Sequence, residues 1–420
     1  MKQIWRWLKT KGKTKVVITV VIIVVALISI GFYFITTSRG EIPIGMVAPI
    51  SGTFAEAGKW AVNGAQLAVE ELNASGGVLG KQLRLIVQDE GQSTDTAISA
   101  TQMLVQQEEV KFLIGPYWSG DVAAVLPLTS ANKIIQILTV SSMDALMVSP
   151  QNAYLFRVTL PDSGYARAIV EWLKLIGAKT YSYLAEDYKY AHEVGNFAKE
   201  FASQTGIQCV FEGYYPGTAT DYTVPINQVV AVKPDATVVI MEGVNGIDFQ
   251  KQYSMNKEAS KIPVLHFETL LIDSRQASSV EAAMPGGMNY VFVGVTSTMT
   301  NRAAVRSFGD KLKSKYGIDY NHYSADAYDG VMVLAQAIKS AGSLDPDAVA
   351  AALMKTDWSG VGGRRAFESN HNPKVGLEYI CGTIYQVFVE GGAIKYKVVW
   401  PPAIAETSPI NPATETVFAK

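Results

Sequence analysis

The stretch IPIGMVAPISGTFAEAGKWAVNGAQLAVEELNASGGVLGKQLRLIVQDEGQ, residues 42–92, decides the fold. Its first apolar run, IGMVA at 44–48, reads as a short buried strand. From about Phe54 to Ser75 the pattern changes: Ala61, Ala65, Ala68 and Leu72 recur at helical spacing. Gly76-Gly77 stops that helix, and LRLIV at 83–87 reads as the next strand. Strand, helix, strand without a hairpin turn predicts a parallel sheet covered by helices on both faces.

The same alternation continues downstream. A helix over Thr94 to about Glu108, a strand KFLIG, a helix over Gly120 to Asn132 and a strand IIQIL complete a first unit. After Pro161 a second unit of the same kind begins. Helices are expected around Tyr165 to Ile176 and His192 to Gln204, and strands at TYSYLA, IQCVFEG, ATVVIM (236–241) and IPVLHF (262–267). GMNYVFVGV (287–295) is expected to cross back to the first unit, ahead of helices near Ala303 to Tyr316 and Asp326 to Ala341. The chain then turns β-rich in YICGTIYQVFV and IKYKVVW and ends in a tail expected to fray.

Upstream, Val16 to Ile35 carries no charge, and about 20 apolar residues span a bilayer core as a helix. Lys2, Arg6, Lys9, Lys11, Lys13 and Lys15 precede it, which predicts a cytoplasmic stub and an extracytoplasmic remainder. The run is longer than a cleavable signal normally carries, so an uncleaved single-pass anchor is expected. No cysteine follows closely enough for a lipid anchor.

With 36 Lys+Arg against 38 Asp+Glu and no long single-sign run beyond the first residues, nothing points to nucleic acid. Cys209 and Cys381 are the only cysteines, too few for a disulfide framework or a cysteine-rich zinc site. His192, His266, His322 and His371 are scattered without metal-ligand spacing, and each reads as surface or hydrogen-bonded core. GGVLGKQ (76–82) lacks the glycine and Ser/Thr of a phosphate loop, and GPYWSG lacks the glycine of a nucleophile elbow. No cofactor and no metal are expected. What remains is a pair of polar stops after two predicted strands, Ser119 in LIGPYWSGD and Ser141-Ser142 in LTVSSMD. Ligands of open α/β sheets bind beyond the carboxyl ends of strands, where hydroxyls and free N–H groups suit a carboxylate or carbonyl oxygen.

Residues 42 to about 400 resemble the periplasmic branched-chain amino-acid-binding protein family, the type I solute receptors of ABC transporters. The resemblance rests on the 42–92 stretch and on KFLIGPYWSG, LTVSS, AEDYKYAHE, HFET and SADAYDG. It implies that Ser119, and Ser142 with the backbone at Val140, hold a ligand carboxylate. It further implies that Glu268 meets the ligand ammonium, that Tyr190 closes over the ligand, and that Tyr117, Trp118 and more weakly Tyr323 wall the pocket. Hydroxyls on one side and a carboxylate on the other fit a zwitterion, and the aromatics supply apolar area. The bland alternatives stay open: Ser119 and Ser142 as helix caps, Glu268 as a solvated loop acid, Tyr190 as packing, Trp118 as core. Ala57 stands where the family often has an aromatic, so a leucine-like ligand does not follow.

The expected protein is thus a type I periplasmic-binding-protein fold of two α/β lobes, each a mostly parallel sheet flanked by helices, plus an N-terminal transmembrane helix. Residues 1–15 form the basic stub, 16–35 the anchor, 41–160 with 292–374 one lobe, 161–291 with 375–405 the other, and 406–420 the tail. It binds a small amino acid or related polar solute between the lobes and is not an enzyme; permease and ATPase subunits are its expected partners. A ligand sensor, or less readily a two-lobed enzyme, is the alternative.

Overall fold

A computed structural model describes residues 40–52, 54–148, 152–241, 243–267, 291–295, 302–390, 393–411 and 416–417. Two sheets organise it. The first has five strands, β1 (Ile42–Ala48), β2 (Leu83–Asp89), β3 (Phe112–Ile114), β4 (Ile135–Leu138) and β5 (Leu155–Arg157), in the order β2-β1-β3-β4-β5. All of its pairings are parallel. β3, β4 and β5 are buried along their whole length, as continuous apolar strands with helices on both faces should be.

The second sheet contains β6 (Thr180–Glu186), β7 (Gln208–Tyr215), β8 (Ala236–Ile240), β9 (Val264–Phe267), β10 (Val291–Val295), β13 (Thr383–Glu390) and β14 (Ala393–Trp400), ordered β14-β13-β10-β9-β8-β6-β7; the short β11 (Asp357–Ser359) and β12 (Arg364–Ala366) pair apart from it. It is mixed: β13 runs antiparallel to both β10 and β14. The strand expected to carry the chain back to the first unit therefore sits inside the second sheet, hydrogen-bonded to β9 and β13.

The expectation of an N-terminal membrane helix is corrected. No helix among the described residues is long and apolar enough to cross a membrane, which removes the anchor from the expected fold and, with it, the expected membrane partnership and single-pass location. The stretch 16–35 on which that expectation fell lies outside the described residues.

The 42–92 unit shows why these elements meet. The helix Ala55–Ala74 buries Trp60, Ala61, Ala65, Leu67, Ala68 and Leu72 on one face, which packs on the helix His322–Ala341. At the crossing a Cβ on Gly64 would lie 2.0 Å from the Ser324 carbonyl oxygen, so only glycine allows this approach. At the helix end the Asn73 side chain donates to Leu83 O (2.8 Å) and accepts from Leu83 N (2.7 Å), which sets where β2 begins.

The later part of the chain is tied to the end of the first sheet. Arg365, 1% exposed, bonds Asp326 and Asp329 (2.6 and 2.9 Å) and also donates to the Val158 carbonyl just past β5. Phe156 stacks on His371 at 4.2 Å, and Arg157 donates to Asn372 Oδ1 at 2.9 Å. These contacts cluster where the chain passes toward the helix Asp162–Leu175, which packs in the second unit. No disulfide joins Cys209, which is half-buried, to Cys381, which is buried. His266 is fully buried with its Nε2 2.6 Å from Gln250 Oε1, and burial pushes its pKa down to about 3.

Candidate functional site

The turn after β3 is built before any side chain reaches the cleft. Gly115 has φ +86°, and a Cβ there would stand 2.4 Å from the Val47 carbonyl oxygen. Glu90, buried just past β2, accepts from Tyr117 N at 2.8 Å and Trp118 N at 3.0 Å. One carboxyl group thus clamps two successive amides and points the following residues toward the strand ends. Burial raises the Glu90 pKa to about 9, opposed by those two amides and supported by the neighbouring Asp121.

Ser119 is the first residue of the helix Ser119–Ala131, whose cap position is held by Trp118 with no side-chain cap bond. Its hydroxyl accepts from Ser141 Oγ at 2.9 Å and from Met143 N at 3.4 Å. The alternative of Ser119 as a helix cap therefore gives way: its partners belong to the turn after β4. Ser142 lies in that turn, and its carbonyl accepts from Asp162 N at 3.0 Å.

A cavity of about 180 Å³ opens beside these turns. From the first unit it is lined by Tyr117, Trp118, Ser119, Val140, Ser141, Ser142 and Met143, and from the second by Asp162, Tyr188, Lys189, Tyr190 and Glu193. Six residues expected at the site line it: Tyr117, Trp118, Ser119, Val140, Ser142 and Tyr190. Tyr323 does not. It lies one layer back, 8% exposed, its ring 5.8 Å from Tyr117 and 6.2 Å from Trp60. Glu268 lies outside the described residues.

The aromatic walls are coupled to the cores behind them. Trp118 makes T-shaped contacts with Tyr117 (4.8 Å) and Phe54 (4.6 Å). Tyr190 stands edge-on to Tyr165 at 5.5 Å and stacks near Tyr188 at 5.8 Å. Trp118 and Tyr190 are therefore both packing residues and cavity wall, which joins the two readings their sequence context left apart.

Met143, Asp162, Tyr188, Lys189 and Glu193 went unrecognised as site residues. Lys189 and Glu193 are spaced as an ordinary solvated helix pair and do form one, at 3.7 Å. Lys189 Nζ is also 3.5 Å from Met143 Sδ on the opposite side of the cleft. Asp162 follows Pro161 as the first residue of its helix, and only the fold buries it to 1% exposure. No group of three or more His, Cys, Asp or Glu among the described residues could hold a metal ion.

Residues 41–385 match the family described as periplasmic binding protein. The chain belongs to that family. Its relatives include the Leu/Ile/Val-binding protein BraC3 of Rhizobium johnstonii, 26% identical over 76% of this chain and 85% of the relative. The leucine-, isoleucine-, valine-, threonine-, and alanine-binding protein of Pseudomonas aeruginosa is 23% identical over 83% and 91%. Among solved structures, the branched-chain amino acid transporter substrate binding protein LivJ of Streptococcus pneumoniae, in complex with isoleucine, superposes with a TM-score of 0.71 at 25% identity, covering 86% of this chain and all of that one (100%). A solute binding protein of an ABC transporter from R. palustris, in complex with benzoate, has the same fold at TM-score 0.71 and 19% identity, over 87% and 99%. The resemblance to the branched-chain amino-acid-binding proteins thus holds, and membership places the chain among non-catalytic transport proteins rather than enzymes.

Proposed function

We propose that the protein is an extracytoplasmic solute-binding component of an ABC transporter that takes a small amino acid or related polar solute between its two lobes. The observation that carries this reading is the cavity: it lies beyond the carboxyl ends of β3 and β4 and is lined from both units. A ligand touching both linings stabilises the closed arrangement over the open one and so shifts the balance between them. Transfer to permease and ATPase subunits is inferred from the transporter proteins to which the chain is similar.

In this reading Ser119, Ser142 and the backbone at Val140 face the ligand carboxylate, and Tyr117, Trp118 and Tyr190 supply apolar wall. Glu268 is assigned to the ammonium by resemblance alone, and Tyr323 supports the wall from behind. The test is a thermal-shift screen against L-amino acids, their amides, aromatic acids, urea and simple sugars. A ligand at about 100 times its dissociation constant adds about 2.7 kcal/mol to folding stability, a readily measured shift. Stabilisation by amino acids supports the assignment; stabilisation by sugars alone removes it, and a screen without any shift overturns the receptor reading.

A further inference from the structure

A second cavity, of about 260 Å³, lies apart from the cleft. It is bounded by the helix Asp162–Leu175, the end of the helix Lys189–Gln204, the segment 375–382 and Trp400, the last residue of β14. No residue lines both cavities. Most of its surface is apolar. Phe201, Val375 and Trp400 pack on the core of the second unit but are only partly covered by it, and Leu377 is 50% exposed. The wall at 376–380 is a closed turn, in which Gly376 N donates to Ile380 O (2.9 Å) and Tyr379 N to Gly376 O (3.0 Å). A Cβ on Gly376 would meet no heavy atom within 4 Å, so open space adjoins this turn.

One unspent charge borders that space. The Arg167 guanidinium carbon stands 4.5 Å from the centre of the Phe201 ring, and Phe201 is itself stacked on Phe197 at 5.9 Å. Among the described residues Arg167 forms no ion pair and no hydrogen bond. Glu171, one turn further along the helix, also lines the cavity, but it is paired with Lys174 at 2.8 Å. The Arg167 charge is therefore left over. A guanidinium resting on a ring presents its N–H donors in a fixed plane, the arrangement that matches the two oxygens of a carboxylate.

We propose that this cavity is a second ligand site, separate from the cleft, that takes a small carboxylate with an apolar body. The carboxylate pairs with Arg167, and the body covers Phe201, Leu377 and Trp400, removing their remaining apolar surface from water. Small-molecule sites usually have about 300–1,000 Å³, so a volume just below that range selects a molecule the size of a simple aromatic acid. The described C-terminal segment is not the occupant, because it is committed to the β13–β14 edge. There Glu406 N donates to Val398 O (2.7 Å), Val398 N donates to Glu406 Oε2 (2.9 Å) and Ile410 N donates to Gln386 Oε1 (2.8 Å).

The experiment is calorimetric titration of the full chain with phenylacetate, and with 2-phenylethanol as the same body without the charge. Phenylacetate should bind, and the alcohol should bind at least about tenfold more weakly. Arg167→Gln should weaken phenylacetate about tenfold. Gln204→Trp, which fills the cavity from its rim, should abolish this binding. Both positions are exposed, so both variants are expected to fold, with melting curves as the check. Neither residue lines the cleft, so a ligand of the cleft should keep its affinity in both. Phenylacetate binding that survives both substitutions unchanged places the acid elsewhere, the cleft included, and overturns the proposal. Equal affinity for the alcohol, or no binding of phenylacetate at millimolar concentration, overturns it as well. The receptor reading stands or falls separately, on the screen against the cleft.

Discussion

The two walls of the cleft are made in different ways. On the first unit the wall is set by backbone: a glycine turn and two amides clamped by Glu90 position the Tyr117 and Trp118 rings and the hydroxyls of Ser119 and Ser141, which bond each other. On the second unit it is side chains, namely the carboxyls of Asp162 and Glu193, the Lys189 ammonium and the Tyr188 and Tyr190 rings. A backbone wall loses its shape when one conformational requirement is broken. A side-chain wall loses selectivity first and shape last. That difference orders the expected effects of substitution.

The largest should come from Gly115→Ala. The added methyl group meets the Val47 carbonyl oxygen in a backbone conformation that disfavours it. Loss of about 2–4 kcal/mol of folding stability is expected in denaturant titrations, together with loss of ligand binding. A variant as stable as the parent would show that the first wall is not backbone-limited.

Glu90 gives a pH test of the same wall. Its folded pKa lies near 9, above the ordinary glutamate value of 4.5, so the folded state favours the protonated acid. The stability this contributes is fully present below about pH 4.5 and is lost as pH rises toward 9. Glu90→Gln should flatten that decline, at a cost of about 1–3 kcal/mol where one amide loses its acceptor. Denaturant midpoints at pH 5, 7 and 9 for both proteins decide it; parallel slopes would mean that the two amides keep Glu90 ionised.

Ser119→Ala separates binding from folding. Affinity for the ligand should fall by about 1 kcal/mol by calorimetry, and the empty protein should lose less than that. A loss confined to stability would make the hydroxyl a brace between two turns and nothing more. The smallest effect is expected at Tyr323→Phe, which keeps the ring against Tyr117 and should change affinity by less than about 0.5 kcal/mol. A large change there would move Tyr323 from the second layer into the site.

Much of the first wall was legible in the sequence, because strand and helix periodicity places polar stops at strand ends without knowledge of distant contacts. IGMVA, LRLIV, KFLIG and IIQIL became β1 to β4 within a residue or two at each end. The hydroxyl stops after two of those strands met at 2.9 Å. The second wall was less legible. Lys189 and Glu193 have the spacing of a solvated pair, and nothing local distinguishes a helix face that meets water from one that meets a cleft.

By itself, then, the sequence determined the alternation of strands and helices and the polar turns, since each depends on periodicity or short-range backbone geometry, while the family was carried by the resemblance of its motifs. Tertiary structure alone decided that β10 joins the second sheet beside the antiparallel β13, that Tyr323 stands behind Tyr117, and that Asp162 is buried in the lining of the cleft. Those outcomes depend on which surfaces are brought together across long sequence separations. Burial, and with it the energy of a charge, is a property of that assembled environment and not of any short stretch of chain.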